Sequence, residues 1–559
     1  MSGTSAGEPR FEAGDQVPRR DLVRVVLASS AGTIFEAYDF ILFGSLAALI
    51  SRKFFSGVDA RQAFIFTLLT FAAGFVVRPL GALIFGRMGD RSGRKETFLI
   101  TITLMGGATI AIGLLPTYET AGIIAPILLI AVRLIQGLAY GGEYGGAVIY
   151  TAEHAPLGRR GLYVGWIQSA AGFALFLSLF VIDMTRTGLG EDVFSDWGWR
   201  IPFLLSALLL VMSLWIRFSL DESPAFRRML AQGRLSKRPL SEAFMTWANL
   251  RLVLMVLFGM MAVQGVLWYT AHFYTQFFIV QVLGLAEASA TRVLMFVTIT
   301  SVPLYVLFSW LSDRIGRKPI MLTGMILSIF ALFPAFQLLT RTVNPALERA
   351  TAASPVVLVV PPRQCVLQFH LLGGPEYDTP CETAQTLLSR SGIPYDVREG
   401  AGRAVTVLSI GRAQLAVPDL SVVAPDGRDA ALAAFRERLA RALAAAGYPE
   451  DATGAPVDML LVYAVILALV TFSVMVYAPI PALVVEVFPA RIRYSALSLP
   501  YHIGSGWFGG FLPAIAFMIT AATGSIYANL WYPLGVTVVG VLVLLFLLPE
   551  RREEAFDLD

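Results

Sequence analysis

Charge is what this sequence has least of. Only 15% of its 559 residues are Asp, Glu, Lys or Arg, while 56% are hydrophobic, a balance that excludes a soluble protein of this length. Histidine is rarer still, and the four at positions 154, 272, 370 and 502 have no metal-ligand spacing. A glycine cluster, Gly141, Gly142, Gly145 and Gly146, is not preceded by a strand or followed by Gly-Lys-Ser/Thr, so it is not a phosphate loop. No metal, cofactor or nucleic-acid partner is expected.

What the chain has instead is long apolar runs. Crossing ~30 Å of hydrocarbon takes about 20 mostly apolar helical residues, and twelve such stretches are read at about 22–48, 62–85, 98–115, 123–149, 161–184, 201–218, 252–281, 291–311, 319–339, 457–482, 496–522 and 529–548. The first carries Glu36 and Asp39, and no small-residue cleavage site follows it. It reads as a retained helix and not a signal peptide. Residues 1–20 lack apolar periodicity and read as a disordered tail. Lys and Arg cluster in alternate loops, as at Arg87, Arg91, Arg94 and Lys95 or Arg234, Lys237 and Arg238, whereas the other short loops hold only Arg52, Lys53, Arg61, Arg186, Arg200 and Arg292. Positive residues stay inside, so both termini are expected in the cytoplasm.

One segment recurs. Gly86-Arg-Met-Gly-Asp90-Arg91-Ser-Gly93-Arg94-Lys95 returns as Ser309-Trp-Leu-Ser-Asp313-Arg314-Ile-Gly316-Arg317-Lys318. Each copy follows the second helix of a set of six, and both fall on the inner side. A solvated charged turn explains either copy alone, but not the same turn at the same helix number twice. The chain is therefore read as two six-helix halves, 21–218 and 251–340 with 457–548, joined by a basic inner linker at 219–250, with a short tail at 549–559.

This plan resembles the major facilitator superfamily, whose hallmark loop is Asp-Arg-x-Gly-Arg-Lys between the second and third helices. Further motifs resemble its metabolite:proton symporters: Glu36-Ala-Tyr-Asp39-Phe40, Arg78-Pro79-Leu-Gly81, Arg133-Leu-Ile-Gln136-Gly137, Gly141-Gly142-Glu143-Tyr144, Trp199-Arg200-Ile-Pro202, Glu222-Ser-Pro224 and Ile492-Arg493-Tyr494-Ser495. The resemblance implies an inner-membrane protein of bacteria that works by alternating access, with a monomer as the functional unit. It also implies that Gly86, Asp90, Arg91, Gly93, Arg94, Asp313, Arg314, Gly316 and Arg317 latch a gate and are not substrate ligands.

Residues 341–456 lose the membrane pattern. Residues 355–360 and 404–410 read as strands, 381–390 and 426–446 as helices, which makes a small α/β insert expected outside the cytoplasm. It holds both cysteines of the chain, Cys365 and Cys381; a disulfide suits that compartment, and a pair of buried thiols is the alternative. Haloacid and short-monocarboxylate permeases of the family are similar in having a long outer loop here. The fold class is thus an all-α membrane protein of twelve transmembrane helices with an extracytoplasmic α/β insert.

Ionisable groups deep in lipid are costly and mark function or a structural pair. Glu36 and Asp39 share a helical face, and two neighbouring carboxylates in low dielectric cannot both ionise cheaply. One is expected to hold a proton, as a coupling site requires, unless one is a fixed counter-ion. Glu143, among glycines that allow close helix approach, is a second proton site or a buried hydrogen bond. Arg78 lies about 12 Å into the bilayer from Gly86, and Arg133 is similarly deep. Either guanidinium fork fits a carboxylate; Arg78 beside Pro79 can instead fix helix packing. Gln136, Tyr140, Gln264, Trp268, Tyr269 and His502 are candidate cavity residues beside His272 and Tyr501, with packing as the alternative for each.

The expected function is proton symport of a small organic acid, first a short monocarboxylate, with di- or tricarboxylates, oxo-acids and zwitterions such as proline or betaine as alternatives. The partners are that solute, protons and the lipid bilayer. No nucleotide motif is present, so an ion gradient supplies the energy. A membrane sensor using the insert is the reading from another class, and a catalytic role for the insert lacks a nucleophile and base signature.

Overall fold

The structure, a computed structural model, describes residues 19–57, 60–156, 158–218, 222–361, 365, 379–400, 405–449 and 456–548. Most of residues 1–20, the tail at 549–559, and His370 lie outside the described residues, as do the side chains of Glu36 and Glu143.

The described residues form long helical runs: α1 (Arg19–Ser45), α2 (Ala60–Arg91), α3 (Arg94–Leu114), α4 (Ile124–His154), α5 (Arg160–Leu189), α6 (Arg200–Phe218), α7 (Trp247–Val282), α8 (Glu287–Ile315), α9 (Arg317–Val343), α10 (Met459–Val487), α11 (493–523) and α12 (Ala528–Phe546). Nine helices among the described residues are long and apolar enough to cross a membrane, or ten if the bent pair Glu191–Gly198 and Arg200–Ile216 is one span. The two runs outside that set, α2 and α11, pack on each other.

The helices meet across the two halves as α2 on α11 and α5 on α8. Within the first half, glycines bring α2 and α4 into backbone contact. A methyl group on Gly137 would clash with the Gly74 carbonyl oxygen, and one on Gly141 with that of Arg78. In the glycine cluster read from the sequence, Gly141 and Gly142 thus face α2 at Arg78 and Phe85, while Gly145 and Gly146 face α11 at Ser498 and Tyr494. Short π-helical turns at Thr270–Tyr274 and His502–Gly509 interrupt α7 and α11, a local widening that is frequent at functional sites.

Between α9 and α10 stands a four-stranded sheet of order β2-β1-β3-β4, made of β1 (Val356–Val360), β2 (Tyr395–Glu399), β3 (Val407–Ile410) and β4 (Ala413–Ala416). β1 pairs parallel with β2 and antiparallel with β3. Helices Pro380–Arg390 and Pro425–Ala445 accompany the sheet. The first opens with a reciprocal capping box between Thr379 and Glu382, which satisfies two orphan donors. Cys365 and Cys381 are joined by a disulfide, with Cα atoms 5.7 Å apart. The insert touches the ends of α7 and α11: the Tyr395 amide donates to the Gly524 carbonyl at 2.9 Å, and the Asn344 side chain donates to the Leu283 carbonyl at 3.0 Å. These contacts lie at the opposite ends of α8 and α9 from the repeated loops.

Candidate functional site

The two repeated loops build two latches of one design. Gly93 and Gly316 precede α3 and α9 with φ of 121° and 100°, a backbone region that favours glycine, and so each loop turns within a few residues of its Asp. Asp90 accepts from the backbone amides of Tyr494 (3.2 Å) and Ser495 (2.9 Å) and from the Ser495 hydroxyl (2.8 Å). Those amides belong to the first turn of α11, in the other half. Asp313 in turn accepts from the amides of Gly161 and Leu162, both at 2.8 Å, in the first turn of α5. Each carboxylate meets the positive end of a helix dipole from the opposite half.

The arginines complete the two latches. Arg94 pairs with Asp90 at 3.3 Å and Glu153 at 3.7 Å, and donates to the Ala490 carbonyl at 3.0 Å. Arg317 pairs with Asp313 and, at 3.1 Å, with Glu486. Glu153 and Glu486 lie near the ends of α4 and α10, the same place in each half. The motif alone did not identify these acids or Arg493, which reaches Glu153 at 2.9 Å; a search for acids at matched helix ends would have. Arg91 and Arg314 are exposed, and Arg314 stacks on the Trp310 ring at 4.0 Å.

About 18 Å along α2 from Asp90, a second assembly joins the halves. The Arg78 guanidinium lies 4.2 Å from the Phe75 ring centroid and 4.0 Å from that of Tyr140, cation–π distances. Tyr140 meets His502 edge-on at 5.9 Å, and His502 meets Tyr501 at 5.0 Å. The Tyr501 hydroxyl lies 3.3 Å from that of Tyr477, whose ring packs against Tyr305 at 6.0 Å. Trp268 donates to the Tyr305 hydroxyl at 3.2 Å and contacts Tyr269 at 5.2 Å; Tyr269 closes the circuit on Phe75 at 6.2 Å. Nine side chains from α2, α4, α7, α8, α10 and α11 thus form one closed ring with a single cationic head in it.

Arg133 lies inside the first half, beside Gly74 of α2 and within electrostatic reach of Arg78. Its guanidinium lies 4.1 Å from the Phe43 ring and donates to Gln136, whose amide donates to Thr109 at 2.7 Å. Asp39 is fully buried and accepts from the Ser206 hydroxyl at 2.7 Å. Gln264 is buried in α7, and His272 stacks on Trp268 at 4.7 Å. The structure therefore brings Arg78, Tyr140, Trp268, Tyr269 and His502 into one circuit of contacts, with the Arg133–Gln136 pair beside it in the first half. Phe75, Tyr305 and Tyr477 were missed by the sequence reading, because an aromatic in an apolar helix carries no signal until its neighbours are known. Among the described residues no group of three or more His, Cys, Asp or Glu could hold a metal.

The sugar (and other) transporter family matches residues 25–242. In fold the chain is similar to the proton:xylose symporter of the major facilitator superfamily, with a TM-score of 0.59 over 95% of this chain and 96% of that one at 14% identity. The shikimate transporter of Escherichia coli (strain K12) is 36% identical over 321 residues, 56% of this chain and 72% of that protein. The chain belongs to the major facilitator superfamily. Other superfamily relatives are the proline/betaine transporter of the same strain, 34% identical over 58% of this chain and 66% of its own length, and the citrate-proton symporter of Salmonella typhi, 32% identical over 56% and 71%. The chain is thus a membrane metabolite transporter of this superfamily.

Proposed function

We propose that the chain is a proton-coupled symporter of a small organic carboxylate, a short monocarboxylate first, working by alternating access across a bacterial inner membrane. The observation that carries this reading is the Arg78 head within the aromatic ring where the halves meet. A guanidinium offers a fork that matches a carboxylate, and rings above and beside it fit a small apolar body. The cargos named for the relatives, shikimate, proline, betaine and citrate, all bear a carboxylate. Twelve spans, cytoplasmic termini and latches, and an insert outside belong to the same proposal, supported by the placement of Lys and Arg.

In this scheme the solute carboxylate binds Arg78 while Asp39, with Glu36 or Glu143, exchanges the proton. Solute and proton enter from the insert side with both latches joined. Binding then draws the ring together, and the latches part as the halves rock. The latches set the resting bias, and the solute can shift it only by its difference in affinity between the two states.

Uptake of labelled acetate, propionate, chloroacetate, succinate, oxoglutarate and proline into membrane vesicles at imposed pH gradients tests the reading. Acid uptake should collapse with a protonophore, and uptake that ignores it would sink proton coupling. Arg78→Gln should lower acid uptake by about a hundredfold, the order expected for losing a charge-assisted pair. An equal loss in Arg133→Gln with Arg78→Gln near normal would move the solute to the first half.

A further inference from the structure

The linker between the halves encloses a cavity that transport through the aromatic ring does not use. Helices Pro224–Ala231 and Pro239–Met245 fold against loop Pro489–Arg491 of the second half and leave about 950 Å³ between them. Four cations line it, Arg234, Lys237, Arg238 and Arg491, against one acid, Glu242. That acid is already paired with Arg491. A concave wall with this excess of positive charge draws an anion.

The mouth says which kind of anion. Met245 lines the cavity and is 84% exposed, and Trp247, two residues on and 71% exposed, begins the apolar run of α7. An exposed tryptophan at the end of a membrane helix marks the headgroup level. A soluble anion has no use for that apolar lip, whereas a phosphate tethered to acyl chains uses both the cations and the lip. We propose that this cavity binds the phosphate of an anionic membrane lipid, with its chains along Met245 and Trp247.

The site is wired to a latch. Ala490 lines the cavity and its carbonyl receives Arg94 at 3.0 Å. The linker is tied to the same latch where Ser223 donates to Glu153 at 2.7 Å and the Lys95 amide donates to Glu222 at 3.1 Å. A phosphate bridging Lys237 and Arg238 to Arg491 therefore ties the linker to the loop whose carbonyl receives Arg94, and it holds the latch closed.

The test uses the full chain in phosphatidylcholine nanodiscs, with retention of added phosphatidylglycerol read by native mass spectrometry. Lys237 and Arg238 are both exposed, so Lys237→Gln with Arg238→Gln leaves the fold intact. The double variant should bind phosphatidylglycerol about tenfold or more weakly, as expected for two lost cations near a lipid surface. Arg87→Gln, an exposed cation at the same end, should bind it as before. Equal retention of phosphatidylglycerol and phosphatidylcholine, or an unchanged double variant, would overturn the proposal. Displacement of the lipid by inorganic phosphate at matched concentration would overturn it in favour of a free anion. None of these readouts depends on what the chain transports.

Discussion

The two latches differ in how much is stacked on one plan. Around Asp90, three donors converge on the carboxylate, and Glu153 serves two arginines, Arg94 and Arg493, and the Ser223 hydroxyl. The Asp90 and Arg94 side chains are 0% and 1% exposed, against 4% and 8% for Asp313 and Arg317. Around Asp313, two amides meet the carboxylate, and Glu486 takes Arg317. The first latch also receives the linker, while the second has Ser309 in place of glycine, its hydroxyl bonded to the Ala478 carbonyl at 2.8 Å. A duplicated sequence has thus become two unequal locks. Charge pairs buried this completely are costly to break one-sidedly, because the remaining partner is left in low dielectric.

The largest effect should follow removal of both carboxylates, Asp90→Ala with Asp313→Ala. With no anion left at either helix end, vesicle uptake should fall to background. Next comes the comparison of single changes. Asp90→Asn removes one partner of a fully buried pair, a loss of about 3–5 kcal/mol, and Asp313→Asn should cost measurably less. The readout is maleimide labelling of Ala496→Cys, a buried position on α11; since both native cysteines are joined in the disulfide, this thiol reports opening by itself. Equal labelling in the two variants would break the asymmetry. Glu153→Gln against Glu486→Gln sharpens it further: the first removes a carboxylate shared by two guanidiniums, the second one that serves Arg317, so the first should open the site more.

Smaller effects follow at single contacts. Ser309→Gly removes one hydrogen bond, about 1 kcal/mol, and should shift uptake a few-fold at most. The smallest concerns the insert, whose described contacts include the second-half helices α7 and α11. Burial raises the Tyr395 phenol from 10.0 to about 12, so the docked state favours the neutral ring. Its contribution is complete below pH 10 and is lost as the pH rises toward 12. Proteolysis of the insert should therefore quicken over that window, and Tyr395→Phe should flatten the change.

The long helices and the repeated Asp-Arg-x-Gly-Arg-Lys loop were legible because lipid imposes run length and duplication imposes identity. In the insert, β1 and β3 were legible as apolar runs, although β3 starts three residues later than read. β2 (Tyr395–Glu399) and β4 (Ala413–Ala416) were not: their burial is mostly partial or absent, so no apolar alternation announces them. Residues 345–353, read as the start of the insert, continue as a helix beyond Asn344, whose side chain caps the Leu347 amide at 3.0 Å.

At the candidate site, sequence singled out Arg78, Tyr140, Trp268, Tyr269 and His502 one by one, and it offered Arg133 and Arg78 as alternative carboxylate binders. What separates the two arginines is which neighbours each helix face meets, and that is set by packing between segments hundreds of residues apart. Sequence by itself determined the membrane class, the two-fold plan and the existence of two charged loops, because each is written in composition or in local repetition. Only the tertiary structure decided that each Asp reaches the helix end of the opposite half, that Glu153 and Glu486 complete the pairs, and that the aromatic ring closes around Arg78. Those are long-range contacts, whose free energy depends on distance and burial, and a linear chain carries neither.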